Sequence, residues 1–447
     1  MKPIKITLWI ALVGLTLLWL IASLPFPSPL SYFAFRDQFV QYSGIISIGM
    51  MSIAMLLAVR PVWIESYLNG LDKMYRLHKW LGISALIFSV MHWWMAKGTK
   101  WMVGWGWLER PTRRRPPGDG TQTQNTLESF INSQRGIAEF IGEWAFYIAA
   151  LLLVLALIQR FPYRLFKQTH KWLAVIYLFL VYHALILVKA PYWGQPIGWV
   201  LIPLLAAGTV AAVLVLFKRV GVKRQVSGTL SSIHYYEDLK VLETTIQLEK
   251  GWPGHQAGQF AFINSHLDVG AHPYTIASAW DETQRSLTII IKELGDHTKS
   301  LLSRLKIGQT VIVEGPYGRF TFQDNKPRQI WIGGGIGITP FIAQMKHLTN
   351  NPDGKVIDLF HATKEVDENA LAKLAADAKA ANINLHIFIE ARDGYLTGEK
   401  LRSMVPDWQT ASVWFCGPTA FAEKINADLS KEGLKATDFH QEVFSFR

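Results

Sequence analysis

Four histidines stand in the first 224 residues and form two pairs, His78 with His92 and His170 with His183, spaced 14 and 13 residues apart in otherwise apolar segments. Ionisable or metal-binding side chains are costly at membrane depth, so such residues are functional candidates by default. At roughly 1.5 Å per helical residue each pair spans about 20 Å, which puts one imidazole near either face of a bilayer. If the two helices pack in parallel, His78 opposes His170 and His92 opposes His183, and each opposed pair can ligate one haem iron axially. Two stacked haems would form an electron path through a layer that blocks charge. Zinc binding and a purely hydrogen-bonding role are the alternatives. Zinc is disfavoured because no carboxylate or cysteine accompanies the histidines at that depth. At about 100° per residue a spacing of 14 returns to nearly the same helix face, whereas 13 misses by roughly 140°. A bulge, a bend or differently rotated haems must absorb the difference.

A second chemical signal is IWIGGGIGITPFIAQM, in which Gly333, Gly334, Gly335 and Gly337 lie between an expected strand and an expected helix. Glycines let the backbone approach a pyrophosphate, and the helix start supplies free N–H donors. Pro340 falls where that helix begins, a place where its missing N–H costs nothing. A structural tight turn looks similar, so the loop alone does not decide. Cys416 is the only cysteine, which excludes a disulfide framework, a structural Cys-type zinc site and a four-cysteine iron-sulfur cluster. Redox chemistry would therefore use organic cofactors or haem.

The elements that must position these residues divide the chain near residue 224. Of 447 residues half are apolar, which excludes disorder. The formal charge of +11 hides a first half with 23 basic and 8 acidic side chains and a second with 22 and 26. A basic half could mark nucleic-acid binding, but this one holds 13 of the 18 Trp and several long apolar runs, so it points to membrane lipid instead. Six segments approach the roughly 20 residues that span a bilayer: 4–24, 40–59, 77–96, 144–161, 170–189 and 197–217. The first also reads as a signal peptide, although its apolar run is long for one. With the N-terminus inside, 14 of the 23 basic residues fall on the inner side, as the distribution of Lys and Arg in membrane proteins requires. This orientation makes the chain a multi-pass protein of the inner (cell) membrane with both termini cytoplasmic. The exception is Arg113, Arg114 and Arg115 in the outer loop, where they either attract an anionic acceptor or belong to a solvated, lipid-contacting loop. Trp93, Trp94, Trp101, Trp105 and Trp107 fit an outer interface belt.

Beyond residue 224 short alternating strands separated by Gly, Pro and Asp turns predict an antiparallel barrel to about residue 323. From Gln329 strands alternate with helices, which predicts a parallel sheet with crossover helices. The expected fold is a multi-domain membrane protein: a six-helix transmembrane haem-binding bundle (1–224), an antiparallel β-barrel (225–325), which the family resemblance below implies to be an FAD domain, and an α/β parallel-sheet nucleotide-binding domain (326–447).

Several motifs in this order resemble those of the ferric reductase and NADPH oxidase superfamily, over roughly residues 40–447. HPYTIAS is similar to its flavin motif, which implies FAD contacts from His272, Pro273, Tyr274, Thr275, Ile276 and Ser278, with the aromatic on the isoalloxazine and the Thr275 hydroxyl near N5. IKELGDHTKSL resembles the second flavin motif, implying that Lys292, Gly295, Asp296, His297 and Thr298 meet the pyrophosphate. GGGIGITPF resembles the nicotinamide-nucleotide loop, adding Ile338, Thr339 and Pro340 to the glycines. FCGP resembles the strand end beside the nicotinamide, with Cys416, Gly417 and Pro418. The histidine spacings are those of the family's haem ligands. The resemblance implies a terminal aromatic over the flavin, Phe444 or alternatively Phe446. For a 2′-phosphate Lys364 and Arg392 are candidates, each equally readable as a surface charge.

The expected activity is that of an NAD(P)H-dependent ferric reductase or NADPH oxidase-like oxidoreductase. Electrons would pass from NADPH or NADH through FAD and two haem b groups to an outer acceptor, ferric chelate or oxygen, with Thr275, Cys416 and Phe444 at the hydride step. No nucleic acid and no obligatory protein partner is implied. The competing readings are an electron-donor subunit for a partner protein and a membrane-anchored flavin reductase without haem.

Overall fold

A computed structural model describes residues 2–28, 31–68, 70–109, 126–158, 160–265 and 270–442. Arg113, Arg114, Arg115, Phe444 and Phe446 lie outside them. The chain forms two compact units, one drawn from residues up to Val220 except 70–72, and the other from Gly221 onward together with 70–72.

In the first unit the long helices are α1 Lys2–Ala22, α2 Tyr32–Ala58, α3 Leu71–Trp93, α4 Thr126–Leu157, α5 Tyr163–His170, α6 Trp172–Leu187 and α7 Pro196–Leu216. Five stretches among the described residues are long and apolar enough to cross a membrane: Pro3–Ala22, Tyr32–Ala58, Ser129–Leu157, Leu165–Leu187 and Pro196–Leu216. The expected segment at 77–96 is helical but is not one of the five, since α3 carries Asp72, Lys73, Arg76 and Lys79 in its first turns. The expected segment at 144–161 is also revised: α4 starts 18 residues earlier, at Thr126, and stops at Leu157. The part of α4 before Trp144 bears Glu128, Arg135, Glu139 and Glu143, which lower apolarity without breaking a helix, and Lys97 pairs with Glu143. Pro203 sits inside α7, as membrane helices tolerate.

Helix α2 is the best-buried helix of this unit and packs on α1 and α7, while α4 packs on α6. The histidines lie on α3 (His78, His92), α5 (His170) and α6 (His183), and α3 is not closely packed against either α5 or α6. Beyond Trp93 the helix widens into a π-turn, Trp94–Gly98. The guanidinium of Arg36 on α2 donates to the carbonyls of Met95 and Ala96 at 2.9 and 3.0 Å, satisfying groups that the altered ladder frees. Trp94, Trp101, Trp105 and Trp107 are exposed.

The second unit begins with a six-stranded antiparallel sheet: β1 Gln225–Tyr236, β2 Val241–Leu248, β3 Phe260–Asn264, β4 His272–Thr275, β5 Ser286–Lys292 and, after the short helix α8 Asp296–Lys299, β6 Thr310–Tyr317. The order is β4-β3-β6-β1-β2-β5, and a bridge between Ile276 and Ile289 links its two edges. Leu230, Ile246, Ile276, Leu287 and Val313 fill its interior.

A five-stranded parallel sheet follows, with order β11-β10-β7-β8-β9. Its elements are β7 Arg328–Gly334, α9 Thr339–Asn350, β8 Val356–Thr363, α10 Glu368–Ala380, β9 Asn384–Ile389, β10 Ala411–Cys416, α11 Thr419–Lys431 and β11 Phe439–Glu442. Two apolar clusters cover its faces, one around Trp331, Phe341 and Leu359, the other around Ile332, Phe415 and Ile425.

Candidate functional site

In the first unit the imidazoles meet in the expected pairs. The ring centroids of His78 and His170 are 6.0 Å apart, and those of His92 and His183 are 6.2 Å apart. With metal–imidazole bonds of roughly 2 Å, two rings on opposite sides of one iron would have centroids about 6 Å apart. The Nδ1 of His78 donates to the Ala54 carbonyl at 2.9 Å, that of His92 to Val40 at 2.9 Å, and that of His183 to Ala138 at 2.8 Å. Such bonds fix the tautomer and leave Nε2 as a neutral ligand nitrogen. His170 differs: its Nδ1 is buried without a hydrogen-bond partner, and Phe166 stacks on its ring at 4.9 Å. No cluster of three His, Cys, Asp or Glu that could hold a metal ion occurs among the described residues. A closed tetrahedral zinc site is therefore not formed there, whereas two axial imidazoles per iron suit haem.

The helical segment is divided only at Lys171, directly after His170, where the backbone stays right-handed (φ −61°, ψ −26°) between α5 and α6. Two helix glycines, invisible as site residues in the sequence, make room for the His92–His183 pair. A Cβ on Gly142 would lie 2.0 Å from His183 Nδ1, and one on Gly44 would lie 3.1 Å from His92 Cε1. Nothing in spacing or composition singled out these glycines, nor the carbonyls of Val40, Ala54 and Ala138.

In the second unit the two flavin-like motifs come together. The rings of His272 and His297 stack with centroids 3.7 Å apart, and the Tyr274 hydroxyl lies 3.0 Å from His297 Nε2. Burial pushes the Tyr274 phenol up, so it stays protonated. The Thr298 hydroxyl accepts the N–H groups of Leu294 and Gly295 and donates to the Gly295 carbonyl, so it shapes the turn itself. Ile276 and Ser278 are interior. Ile276 donates its N–H to Gln259, and the Ser278 hydroxyl accepts from the Thr288 N–H at 3.1 Å. Thr275 ends β4, paired with Phe260, and Pro273 in the same strand pairs with Phe262. Lys292 forms an ion pair with Glu365, which follows β8 of the parallel sheet.

The glycine loop leaves β7 as a 3₁₀ turn, Gly335–Ile338, and α9 starts at Thr339 with Pro340 in its first turn. Gly335 has φ +55°, and a Cβ on Gly337 would lie 2.2 Å from the Cys416 carbonyl. These two positions need glycine, for a left-handed turn and for a close approach. Gly333 pairs in register with Cys416, and Gly334 packs against Gly417 and Pro418. The Cys416 thiol is buried and pushed well up by that burial, with Glu442 adding to it. Sequence reading passed over His361: it lies under the loop, Nδ1 3.3 Å from the Gly333 carbonyl, and burial lowers it to about 4, so it is neutral. A groove open to solvent runs between the two sheets of this unit, lined by Lys292, Gly335, Ile338, Lys346, His361 and Glu365 among others.

Comparison with known proteins gives a match to each unit. The family described as "Ferric reductase like transmembrane component" matches residues 43–181, and an FAD-binding domain family matches residues 226–321. The glycine betaine monooxygenase reductase subunit of Chromohalobacter salexigens is 26% identical over 204 residues, 42% of this chain and 55% of that one. The flavohemoprotein of Oceanobacillus iheyensis is 22% identical over 207 residues, 43% and 51% of the two chains. The chain thus spans about half the length of these curated relatives. Among solved structures, the flavohem-like FAD/NAD-binding domain of a Vibrio cholerae nitric oxide dioxygenase aligns with a TM-score of 0.43 at 20% identity, covering 49% of this chain and 98% of that one. A ferric reductase-like transmembrane component followed by an FAD-binding domain is the order found in the ferric reductase and NADPH oxidase superfamily, to which this chain is similar.

Proposed function

We propose that this membrane oxidoreductase moves electrons from cytoplasmic NAD(P)H to an acceptor on the outer face, ferric chelate or oxygen. When bound, FAD would turn a two-electron donor into one-electron steps, and two b-type haems would carry the electrons across the apolar layer. His78 and His170 would hold the inner haem, and His92 and His183 the outer one. Two imidazole pairs at 6.0 and 6.2 Å, three of the four rings oriented by backbone carbonyls, are the observation that carries this reading. The two imidazoles of each pair would hold the haem between them, and the haem would supply one-electron transfer to the acceptor rather than bind it. In the second unit Tyr274, Thr275 and the turn through His297 and Thr298 would cradle FAD. The loop from Gly333 to Pro340, with Cys416 to Pro418, would seat the nicotinamide nucleotide. The proposed layout is a six-helix bundle (1–224), a flavin barrel (225–325) and a nucleotide domain (326–447), in the inner membrane with both termini cytoplasmic.

The test is the dithionite-reduced spectrum of the purified full chain with a haem-to-flavin ratio. Two haems b per FAD are expected; a flavin-loaded, haem-replete preparation without a haem b α-band would sink the transmembrane path. Ferric chelate and oxygen are separated by assaying each, with superoxide dismutase as the control. A second reading, donor to a partner protein, is favoured by relatives named as reductase subunits. Turnover absent with both small acceptors but restored by a cell extract would select it.

A further inference from the structure

In an open parallel sheet a dinucleotide lies outside the carboxyl ends of the strands, with its pyrophosphate at the glycine loop. Here that loop follows β7, and the nicotinamide side is that of Cys416 to Pro418 after β10. The adenosine half then falls over the neighbouring strand ends, β8 and β9. The charged side chains that follow those strands include Lys364, Glu365 and Asp367 after β8, and Glu390, Arg392 and Asp393 after β9, joined by Lys292 from β5 and by Lys400, while Lys346 and Lys373 line the groove beside Glu243 and Asp377.

Lys292, Lys364, Arg392 and Lys400 each have an acceptor. Lys292 pairs with Glu365, Lys364 stands 3.8 Å from Glu390, and Arg392 Nη2 lies 2.9 Å from Asp393. Lys400 donates to the carbonyls of Asp393 and Tyr395 at 2.6 and 3.1 Å. Exposed pairs of this kind are individually weak, so the deciding matter is which partner is anchored. Two of the three paired carboxylates, Asp393 and Glu390, are, and so is the neighbouring Asp367. Asp393 accepts the Ile389 N–H at 2.9 Å, Glu390 accepts the Tyr395 hydroxyl at 2.8 Å, and Asp367 accepts the Ala370 N–H at 2.9 Å. A cation that swung from its carboxylate to a phosphate would leave that fixed carboxylate unpaired beside the new charge, so the phosphate would gain no net countercharge.

We propose that this site takes NADH in preference to NADPH: a 2′-phosphate would bring nearly two negative charges to a rim of anchored carboxylates whose cations are already committed. The ribose hydroxyls of NADH, by contrast, are donors that carboxylates accept. This rests on reading the second unit as an NAD(P)H–flavin reductase.

The test uses the purified full chain in lipid nanodiscs, with FAD content checked by absorbance. It is mixed anaerobically with NADH or NADPH, and the bleaching of the flavin band is followed across coenzyme concentrations. The second-order bleaching constant should be at least tenfold larger with NADH, and added salt should narrow the gap by screening the phosphate. The double substitution Glu390→Gln and Asp393→Asn should shift the NADPH-to-NADH ratio upward by tenfold or more. Equal or faster bleaching by NADPH in the unaltered protein overturns the proposal and leaves the reductase reading standing. A flavin-loaded protein that neither coenzyme bleaches overturns the reductase reading itself. A double variant that loads FAD but keeps the original ratio overturns the role given to the two carboxylates. Should that variant fail to load FAD, the unaltered protein's ratio and its salt dependence still decide.

Discussion

Three of the four imidazoles in the membrane unit donate Nδ1–H to a backbone carbonyl, so their orientation is held by main chain that no side-chain substitution removes. What a substitution can remove is the ligand or the space around it. His92→Leu should therefore lower the haem content from two per FAD to one and abolish turnover with an outer acceptor. The hydride step engages the other unit, so NAD(P)H should still bleach the flavin; retention of both haems would contradict the pairing. Gly142→Ala addresses space instead. A methyl group 2.0 Å from His183 Nδ1 must displace the ring, whereas one on Gly44 meets His92 at 3.1 Å, where a few tenths of an ångström suffice. The reduced-minus-oxidised spectrum should accordingly lose or shift the outer component in Gly142→Ala and change much less in Gly44→Ala. The histidines were legible because a titratable residue in an apolar run stands out. Gly44 and Gly142 were not, since membrane helices contain glycine for many reasons and only the partner across the gap gives these two a role.

Elements were readable where one period dominated and were misjudged where composition cut across it. The polar first half of α4 was lost to a hydropathy window, although residues such as Arg135 and Glu139 are good helix formers. Strand β4 was seen as a motif but not as a strand because Pro273 interrupts the alternation; it lies at a sheet edge, where a missing N–H is tolerated. The four-residue β11 has too few positions to show a period. Asp324, which no motif marks, ties elements together: its carboxylate accepts from Lys355, the Lys326 N–H, Gln329, Ser412 and Trp414, binding the starts of β7 and β10. Burial alone would raise this carboxyl, but the bonds from Lys355, Ser412, Lys326 and Trp414 outweigh it and hold it below its ordinary range. A lowered folded value means that the stabilisation is fully present above about pH 4 and fades as pH falls through the folded value. Asp324→Asn should thus destabilise the second unit by roughly 2 kcal/mol at neutral pH. FAD release on heating, followed by fluorescence, should show a deficit that shrinks below about pH 4. A deficit independent of pH would mean that shape, not charge, holds the two strands.

At the scale of the whole chain the charge division gains a physical meaning. The basic first half holds the five apolar crossing candidates, and the acidic second half holds the two sheets. Basic residues favour the cytoplasmic side of a membrane, and the proposed orientation places the coenzyme site there and the His92–His183 pair toward the outside. Sidedness is therefore the sharpest test of the proposed function. Inverted membrane vesicles expose the cytoplasmic face, so NADH added outside them reaches the coenzyme site and an impermeant ferric chelate sealed in the lumen reaches only the outer face. NADH oxidation should then be coupled to reduction of the lumenal chelate, and right-side-out vesicles given the same NADH should show none. A chelate on the coenzyme side draws on the flavin directly, so His92→Leu should abolish reduction in the lumen while reduction outside continues. If the variant reduced both pools alike, electrons would be leaving from the flavin unit alone and the paired histidines would have no part in transport. If the unaltered protein reduced the lumenal chelate from right-side-out vesicles, the orientation read from the basic residues would have to be inverted.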